Sequence, residues 1–352
     1  MNHVTVLTVI GARPQFVKAA VVSRALANEG IKEQIIHTGQ HYDALMSATF
    51  FDELNIPQPA VNLDAGSGNH GKQTARMLEN IENYVLNQSS KPTALMVYGD
   101  TNSTIAGALA ATKLHIPVIH VEAGLRSFNR KMPEEINRVL TDHVSELLFC
   151  SSDEGVQNLA KEGITDGVHP VGDVMYDAIK TFTPIALNQD RPPSLPGKFV
   201  LLTLHRPANT DDHSKLQSLL DTLGSLPISI FWPVHPRVKQ TLEQLNISPN
   251  IILSEPLAYF DMLYSLHSAE LVLTDSGGLQ KEAYWMQKKC ITLRDETEWV
   301  ETLEGNWNQL TGLHPQKITD AWHKEPETSW KPLYGDGKAS EKIAGIIRDY
   351  FS

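Results

Sequence analysis

Short apolar runs that stop abruptly at polar clusters organise this chain. The clusters are Gly11-Ala12-Arg13-Pro14, Gly99-Asp100-Thr101, His120-Val121-Glu122-Ala123-Gly124, His205-Arg206, His235-Pro236 and Asp275-Ser276-Gly277-Gly278. A strand buried on both faces reads as a near-continuous apolar run, the mark of a parallel sheet. In open α/β sheets, ligands bind just beyond the carboxyl ends of such strands. Six clusters, divided between two halves of the chain, therefore predict two α/β domains with a cleft between them. Carboxylates, histidines, arginines and a Gly-rich helix start fit an anionic ligand undergoing acid/base chemistry.

At 352 residues the chain exceeds one ordinary core. With 41% hydrophobic and 20% charged residues it reads as soluble and globular. A net charge of −11 argues against a nucleic-acid or anionic-membrane surface, though a cleft can be locally positive. Cys150 and Cys290 follow apolar segments and read as buried free thiols. With no Cys-x-x-Cys pair they make no zinc site. The first apolar run passes straight into Gly-Ala-Arg-Pro, unlike a signal peptide, and no run is long enough to span a membrane. A cytoplasmic enzyme is the expectation.

The first half alternates strands at Val4–Ile10, Glu33–His37, Ala94–Tyr98, Val118–Val121 and Leu147–Cys150 with helices from Pro14, over Thr101–Lys113 and over Pro133–Ser145. Residues 184–197, with Pro184, Pro192, Pro193, Pro196 and Gly197, form the best linker candidate. A second series follows: Phe199–Leu204, Ile228–Trp232, Ile251–Leu253, Leu271–Thr274 and Cys290–Leu293. The amphipathic segment Ala339–Phe351 closes the chain, with Ile343, Ile346, Ile347 and Phe351 on one face.

Each cluster admits a plain and a chemical reading. Neither Gly-x-Gly-x-x-Gly nor a Walker pattern is present, so nothing calls for NAD or ATP. Arg13 and Lys18, at the first strand-to-helix turn, are placed for a phosphate or for solvent. Asp100 serves either as an N-cap or as a functional carboxylate. His120 and Glu122 alternate along a strand end and would face the same side. The His-x-Glu start of a deaminase zinc site lacks its Cys pair, so a metal is rejected. On the helix from Pro133 the apolar stripe is Ile136, Val139, Leu140, His143, Val144 and Leu147, which turns Glu134 to solvent or a cleft. Ser276, Gly277 and Gly278 open a helix whose free N–H groups attract an anion, unless Ser276 is only a cap. Glu282, a turn further on, is placed for a ribose or for solvent. His205-Arg206 and His235 tip two strands of the second half, a pairing suited to anion binding or proton transfer.

Together these segments closely resemble the non-hydrolysing UDP-N-acetylglucosamine 2-epimerase family. The shared motifs are Gly-Ala-Arg-Pro at 11–14, Thr-Gly-Gln-His at 38–41, Gly-Asp-Thr at 99–101 and His-Val-Glu-Ala-Gly-Leu-Arg at 120–126. They continue with Pro-Glu-Glu-Ile-Asn-Arg at 133–138, His-Arg at 205–206, Pro-Val-His-Pro at 233–236 and Thr-Asp-Ser-Gly-Gly at 274–278. The resemblance implies a GT-B architecture of two Rossmann-like domains, 1–172 with 339–352 and 173–338, the last helix returning to the first domain. It implies a UDP-sugar substrate, no metal or other cofactor, and a homodimer. It implies elimination of UDP together with the C2 proton to a 2-acetamidoglucal, then re-addition of UDP with protonation from the other face. By resemblance Asp100, Glu122 and Glu134 are the catalytic carboxylates, and His205 is a proton donor or phosphate partner. Arg13, Lys18, Arg206, His235, Ser276, Gly277, Gly278 and Glu282 would bind substrate.

Two departures stand out. Gln15 replaces the family's frequent glutamate, and Gln40-His41-Tyr42-Asp43 differs from the pattern of members with an allosteric UDP-GlcNAc site. Phe128–Met132 and Asp295–Glu301 are more similar to the branch that includes UDP-2,3-diacetamido-2,3-dideoxyglucuronate 2-epimerases. The simpler UDP-GlcNAc activity, serving surface polysaccharide synthesis, is the first expectation and that branch the alternative. A non-catalytic UDP-sugar sensor is the rival of another class, but three carboxylates would repel the anion such a protein must hold.

Overall fold

The apolar runs form parallel strands. A computed structural model describes residues 4–40, 50–192, 194–327 and 329–352. His41, Tyr42 and Asp43, on which the regulatory comparison turns, lie outside the described residues. The chain divides into two compact units, residues 1–178 with 334–352, and residues 179–333.

The first unit contains β1 (Thr5–Ile10), α1 (Arg13–Asn28), β2 (Lys32–His37), β3 (Val61–Asn62), α2 (His70–Leu86), β4 (Ala94–Tyr98) and α3 (Asn102–Lys113). It continues with β5 (Val118–Ala123), α4 (Pro133–Val144), β6 (Leu147–Cys150), α5 (Asp153–Lys161) and β7 (Val168–Pro170). All pairings are parallel, in the order β3-β2-β1-β4-β5-β6-β7. Every residue of β4 and β6 is buried, as covering both faces of the sheet demands. Small residues let α3 lie close to that sheet: a Cβ at Gly107 would stand 3.0 Å from Val97 Cγ1 and 3.3 Å from Val9 Cβ.

Helix α6 (Val174–Leu187) leads into the second unit. Pro184 sits inside this helix, so the Pro-rich stretch expected as a linker does not begin there. The second unit carries β8 (Phe199–Thr203), α7 (Pro207–Thr210), α8 (His213–Gly224), β9 (Ser229–Pro233), α9 (Lys239–Leu242), β10 (Ile251–Ser254) and α10 (Tyr259–Ser268). Then come β11 (Leu271–Thr274), α11 (Gly277–Trp285), β12 (Cys290–Thr292), β13 (Asn308–Leu310) and α12 (Pro315–His323). Its sheet, ordered β10-β9-β8-β11-β12-β13, is again parallel throughout. Two Rossmann-like units of this kind constitute the expected GT-B class. Both cysteines are buried and free, and burial pushes each thiol up to about 12. Among the described residues no helix is long and apolar enough to cross a membrane.

The closing helix α13 (Ala339–Phe351) belongs to the first unit, where it packs on α1 and buries Ile343, Ala344 and Ile347. Its N-cap residue, Lys338, offers no side-chain acceptor. Asp177 of α6 supplies one: Oδ1 accepts from Ala339 N at 3.1 Å, and Oδ2 accepts from Ser340 N at 2.7 Å and Ser340 Oγ at 2.5 Å. Replacing Asp177 with Ala should destabilise the first unit by about 1–2 kcal/mol, the usual loss of a cap. A lowered midpoint in urea denaturation would show it, and an unchanged midpoint would refute it.

Candidate active site

Strand order reverses between β1 and β4 in one sheet and between β8 and β11 in the other. Ligands bind at such switch points, beyond the carboxyl ends. Gly11–Arg13 and Gly99–Asp100 follow the first pair, and His205–Arg206 and Asp275–Gly278 the second.

Gln15 clips the first pair of loops together. Its Oε1 accepts from Gly11 N (2.8 Å) and Ala12 N (3.0 Å), while its Nε2 donates to Tyr98 O (2.9 Å), Thr101 Oγ1 (3.0 Å) and Thr104 Oγ1 (3.1 Å). An ionised glutamate has no proton to give the Tyr98 carbonyl. The departure at position 15 thus suits a neutral amide clip.

Thr101, not Asp100, caps α3, its hydroxyl accepting from Thr104 N. Asp100 is thereby released from the plain reading. Arg138 Nη2 donates to Asp100 Oδ2 at 2.6 Å, and Asn137 Nδ2 donates to Asp100 O at 2.9 Å. Burial holds the Asp100 carboxyl above its ordinary range. Arg138 and Lys18 pull it down, and the charges of Glu122 and Glu134 push it up. The three carboxylates therefore share one electrostatic neighbourhood.

Glu122 takes a left-handed φ of +75° at a bulge in β5, where the register shifts between Val121 and Ala123. Such a backbone is costly for a non-glycine residue and clusters at functional sites. The simple alternation expected for His120 and Glu122 ends at this bulge. Lys18 Nζ is ion-paired with Glu122 Oε2, both side chains being about nine-tenths buried. Burial works against the Lys18 charge, yet Glu122, Asp173 and Asp100 together raise its proton affinity. Gly99, at φ +61°, leaves the room: a Cβ there would come 3.3 Å from Glu122 Oε2. Arg13 lies over the Phe50 ring at 4.9 Å.

Helix α4 corrects the amphipathic reading. Its apolar residues Ile136 and Leu140 are 49% and 47% exposed, while Glu135, Asn137, Arg138, Thr141 and Asp142 are buried. The inward face is polar because the loops beneath it carry groups that must be paired. Glu135 accepts from Ser127 N and Phe128 N, and Arg138 and Asn137 hold Asp100. Glu134 is exposed at the first turn. Sequence patterning passed over Arg138, Asn137 and Asp142 because a helix is expected to bury its apolar side.

In the second unit Asp275 is fully buried and organises the strand ends. It accepts from His205 N (3.0 Å), Arg206 N (2.9 Å) and Asn209 Nδ2 (3.1 Å), and lies 3.0 Å from His205 Nδ1. Burial opposes its charge, but the His205 and Arg206 hydrogen bonds carry its carboxyl below the ordinary range. His205 is partly exposed, with the His235 ring 6.0 Å away. Arg206 Nε donates to Asp275 O at 3.0 Å. Ser276 caps α11 by accepting from Leu279 N, as the plain reading held. A Cβ at Gly278 would meet nothing within 4 Å, and Gly278 has no positive φ. Neither packing nor backbone conformation requires that glycine. Glu282, on the same helix, is half-buried near Tyr259.

Replacing Arg138 with Met should raise the Asp100 proton affinity further, since the guanidinium charge is the largest influence lowering it. The 13C carboxyl titration of Asp100 should therefore move to higher pH. Movement to lower pH would contradict this arrangement.

The family model described as UDP-N-acetylglucosamine 2-epimerase matches residues 24–348. A UDP-2,3-diacetamido-2,3-dideoxy-D-glucuronate 2-epimerase of Pseudomonas aeruginosa is 46% identical, over 97% of this chain and 99% of its own length. A UDP-N-acetylglucosamine 2-epimerase homolog of Methanococcus maripaludis is 45% identical, over 98% and 99%. The crystal structure of Methanocaldococcus jannaschii UDP-GlcNAc 2-epimerase in complex with UDP-GlcNAc and UDP superposes with a TM-score of 0.85 at 40% identity, each chain 99% covered. This chain belongs to the UDP-N-acetylglucosamine 2-epimerase family.

Proposed function

We propose that this protein interconverts UDP-GlcNAc and UDP-ManNAc by eliminating and re-adding UDP. The observation that carries the reading is the gathering of Asp100, Glu122 and Glu134 with Lys18 and Arg138 at one switch point. A binder of an anionic ligand gains nothing from three carboxylates, whereas proton exchange at an unactivated carbon needs them.

In this reading the C1–O bond to UDP loosens, C1 gains positive character, and a carboxylate takes the C2 proton as the 2-acetamidoglucal forms. UDP returns to C1 while a proton is delivered to the opposite face of C2. Asp100, with its raised proton affinity, suits proton exchange. Glu122, fixed by Lys18, and Glu134 supply the further negative charge and proton carrier. Asp275 orients His205 through Nδ1, leaving Nε2 for the departing UDP oxygen. Arg13, Arg206 and His235 offer further contacts to phosphate or sugar. Ser276, Gly277 and Gly278 cradle phosphate, with Glu282 on the ribose. Domains 1–172 with 339–352 and 173–338 divide sugar chemistry from nucleotide binding. No metal or other cofactor is required, and cytoplasmic work on surface polysaccharide precursors fits two free thiols.

A second reading, epimerisation of UDP-2,3-diacetamido-2,3-dideoxyglucuronate, is favoured by the 46% identity to the Pseudomonas aeruginosa enzyme. We also infer a homodimer, because α4 turns Ile136 and Leu140 outward and Phe128, in the loop before it, is 72% exposed. Changing Ile136 and Leu140 to Asp should then yield a monomer by sedimentation.

Incubation with UDP-GlcNAc in D2O should give UDP-ManNAc deuterated at C2 by NMR. Exchange only in the diacetamido-glucuronate would select the second reading, and no exchange in either would reject epimerisation. Asp100→Asn, Glu122→Gln and Glu134→Gln should each lower kcat by orders of magnitude while UDP still binds. Gly278→Ala should leave the melting temperature no lower yet weaken UDP binding measured by calorimetry, because the added methyl enters open space at the helix start.

A further inference from the structure

One buried side chain links the two turns that carry Asp100 and Glu122, and the mechanism above does not use it. His120 lies on β5, two residues before Glu122, with its side chain wholly buried. Its Nε2 stands 2.8 Å from Gly99 O, the carbonyl of the peptide bond that leads into Asp100. Its Nδ1 stands 2.6 Å from Asp142 Oδ1. The other oxygen, Asp142 Oδ2, accepts from Arg126 Nη1 at 2.6 Å and from Gly124 N at 3.1 Å. Arg126 is fixed in turn by a bidentate pair with Glu162, at 2.7 and 2.8 Å.

The donor count decides which ring nitrogen faces Gly99 as a donor. A peptide carbonyl only accepts, so Nε2 must carry a hydrogen. Asp142 grips the other ring nitrogen through Oδ1, and its Oδ2 is occupied by Arg126 and Gly124 N. His120 therefore donates to Gly99 O through Nε2 while Asp142 holds the ring at Nδ1. A buried chain of charges such as this is costly unless every member is satisfied, and here each has its partner.

The segment this chain reaches carries two left-handed backbone positions. Gly99 and Glu122 both sit at positive φ. Gly99 N donates to Val121 O at 3.0 Å, so the two turns are joined on their backbone side too. A shift of Gly99 moves Asp100 directly and moves the wall against which Glu122 and Lys18 rest. Building on the epimerase reading, we propose that His120, held by Asp142 and Arg126, is a positioning residue that sets the spacing between Asp100 and Glu122 through its hydrogen bond to Gly99 O.

Two substitutions separate the two hydrogen bonds. The amide of His120→Asn mimics Nδ1 and keeps the link to Asp142 alone. The amide of His120→Gln mimics Nε2 and keeps the donor to Gly99 O. His120→Asn should lower kcat on the UDP-sugar by roughly 10- to 100-fold, the scale of a misplaced reacting group, with KM changed only a few-fold. His120→Gln should recover most of that loss. Normal turnover by His120→Asn, or equal losses in both variants, would overturn the proposal. Should neither variant fold, 15N NMR of the histidine-labelled native protein decides: a hydrogen on His120 Nε2 supports the tie to Gly99, and a bare Nε2 overturns it. Asp100→Asn and Glu122→Gln run alongside. Full activity in those two would sink the epimerase reading of the carboxylates. Inactivity in them beside a normal His120→Asn would sink the positioning role alone.

Discussion

A parallel strand covered on both faces can carry a polar side chain only where a partner meets it, and such groups collect where the strand ends. That constraint governs where chemistry sits in this molecule. Both sheets are parallel throughout, with interiors of Val, Leu, Ile and aromatic residues. Titratable groups are thereby pushed to the carboxyl ends, and the reversal of strand order opens one position in each sheet where two ends lie side by side. Lys18, Asp100 and Glu122 occupy one such position, and His205, Asp275 and Ser276 the other.

Concentrating charge in this way has a cost that the surrounding residues offset. Asp100 is harder to ionise than a free aspartate, and Lys18 and Arg138 moderate the effect. Asp275, fully buried, goes the other way because its hydrogen bonds outweigh burial. The two carboxylates differ in environment: the Asp100 carboxyl holds its proton more readily than a free aspartate, whereas Asp275 stays charged beside His205.

The strands were legible in the sequence because their signal is local. Ala94–Tyr98, Leu147–Cys150 and Leu271–Thr274 agree with the structure at both ends. The polar groups at strand tips were legible for the same reason, since an apolar run that halts at Gly-Asp or His-Arg marks its own end. Two kinds of information were not local. Helix α4 presents its polar side inward, because what it must satisfy are loop carbonyls and carboxylates contributed by distant segments. The bulge at Glu122 depends on pairing with β6, and no residue pattern within β5 announces it. Asp177 and Ser340, which meet across more than 160 positions, belong to the same class.

The place of α13 has a bearing on how the protein is made. Residues 339–351 cover α1, and Arg348 reaches Glu29 at that helix's far end. The first unit thus cannot finish folding while its own residues emerge from the ribosome. It must wait, with part of an apolar helix surface open, until the whole second unit has been synthesised. An order of assembly follows in which the unit begun first is completed last, and a nascent chain at that stage is the form most exposed to aggregation.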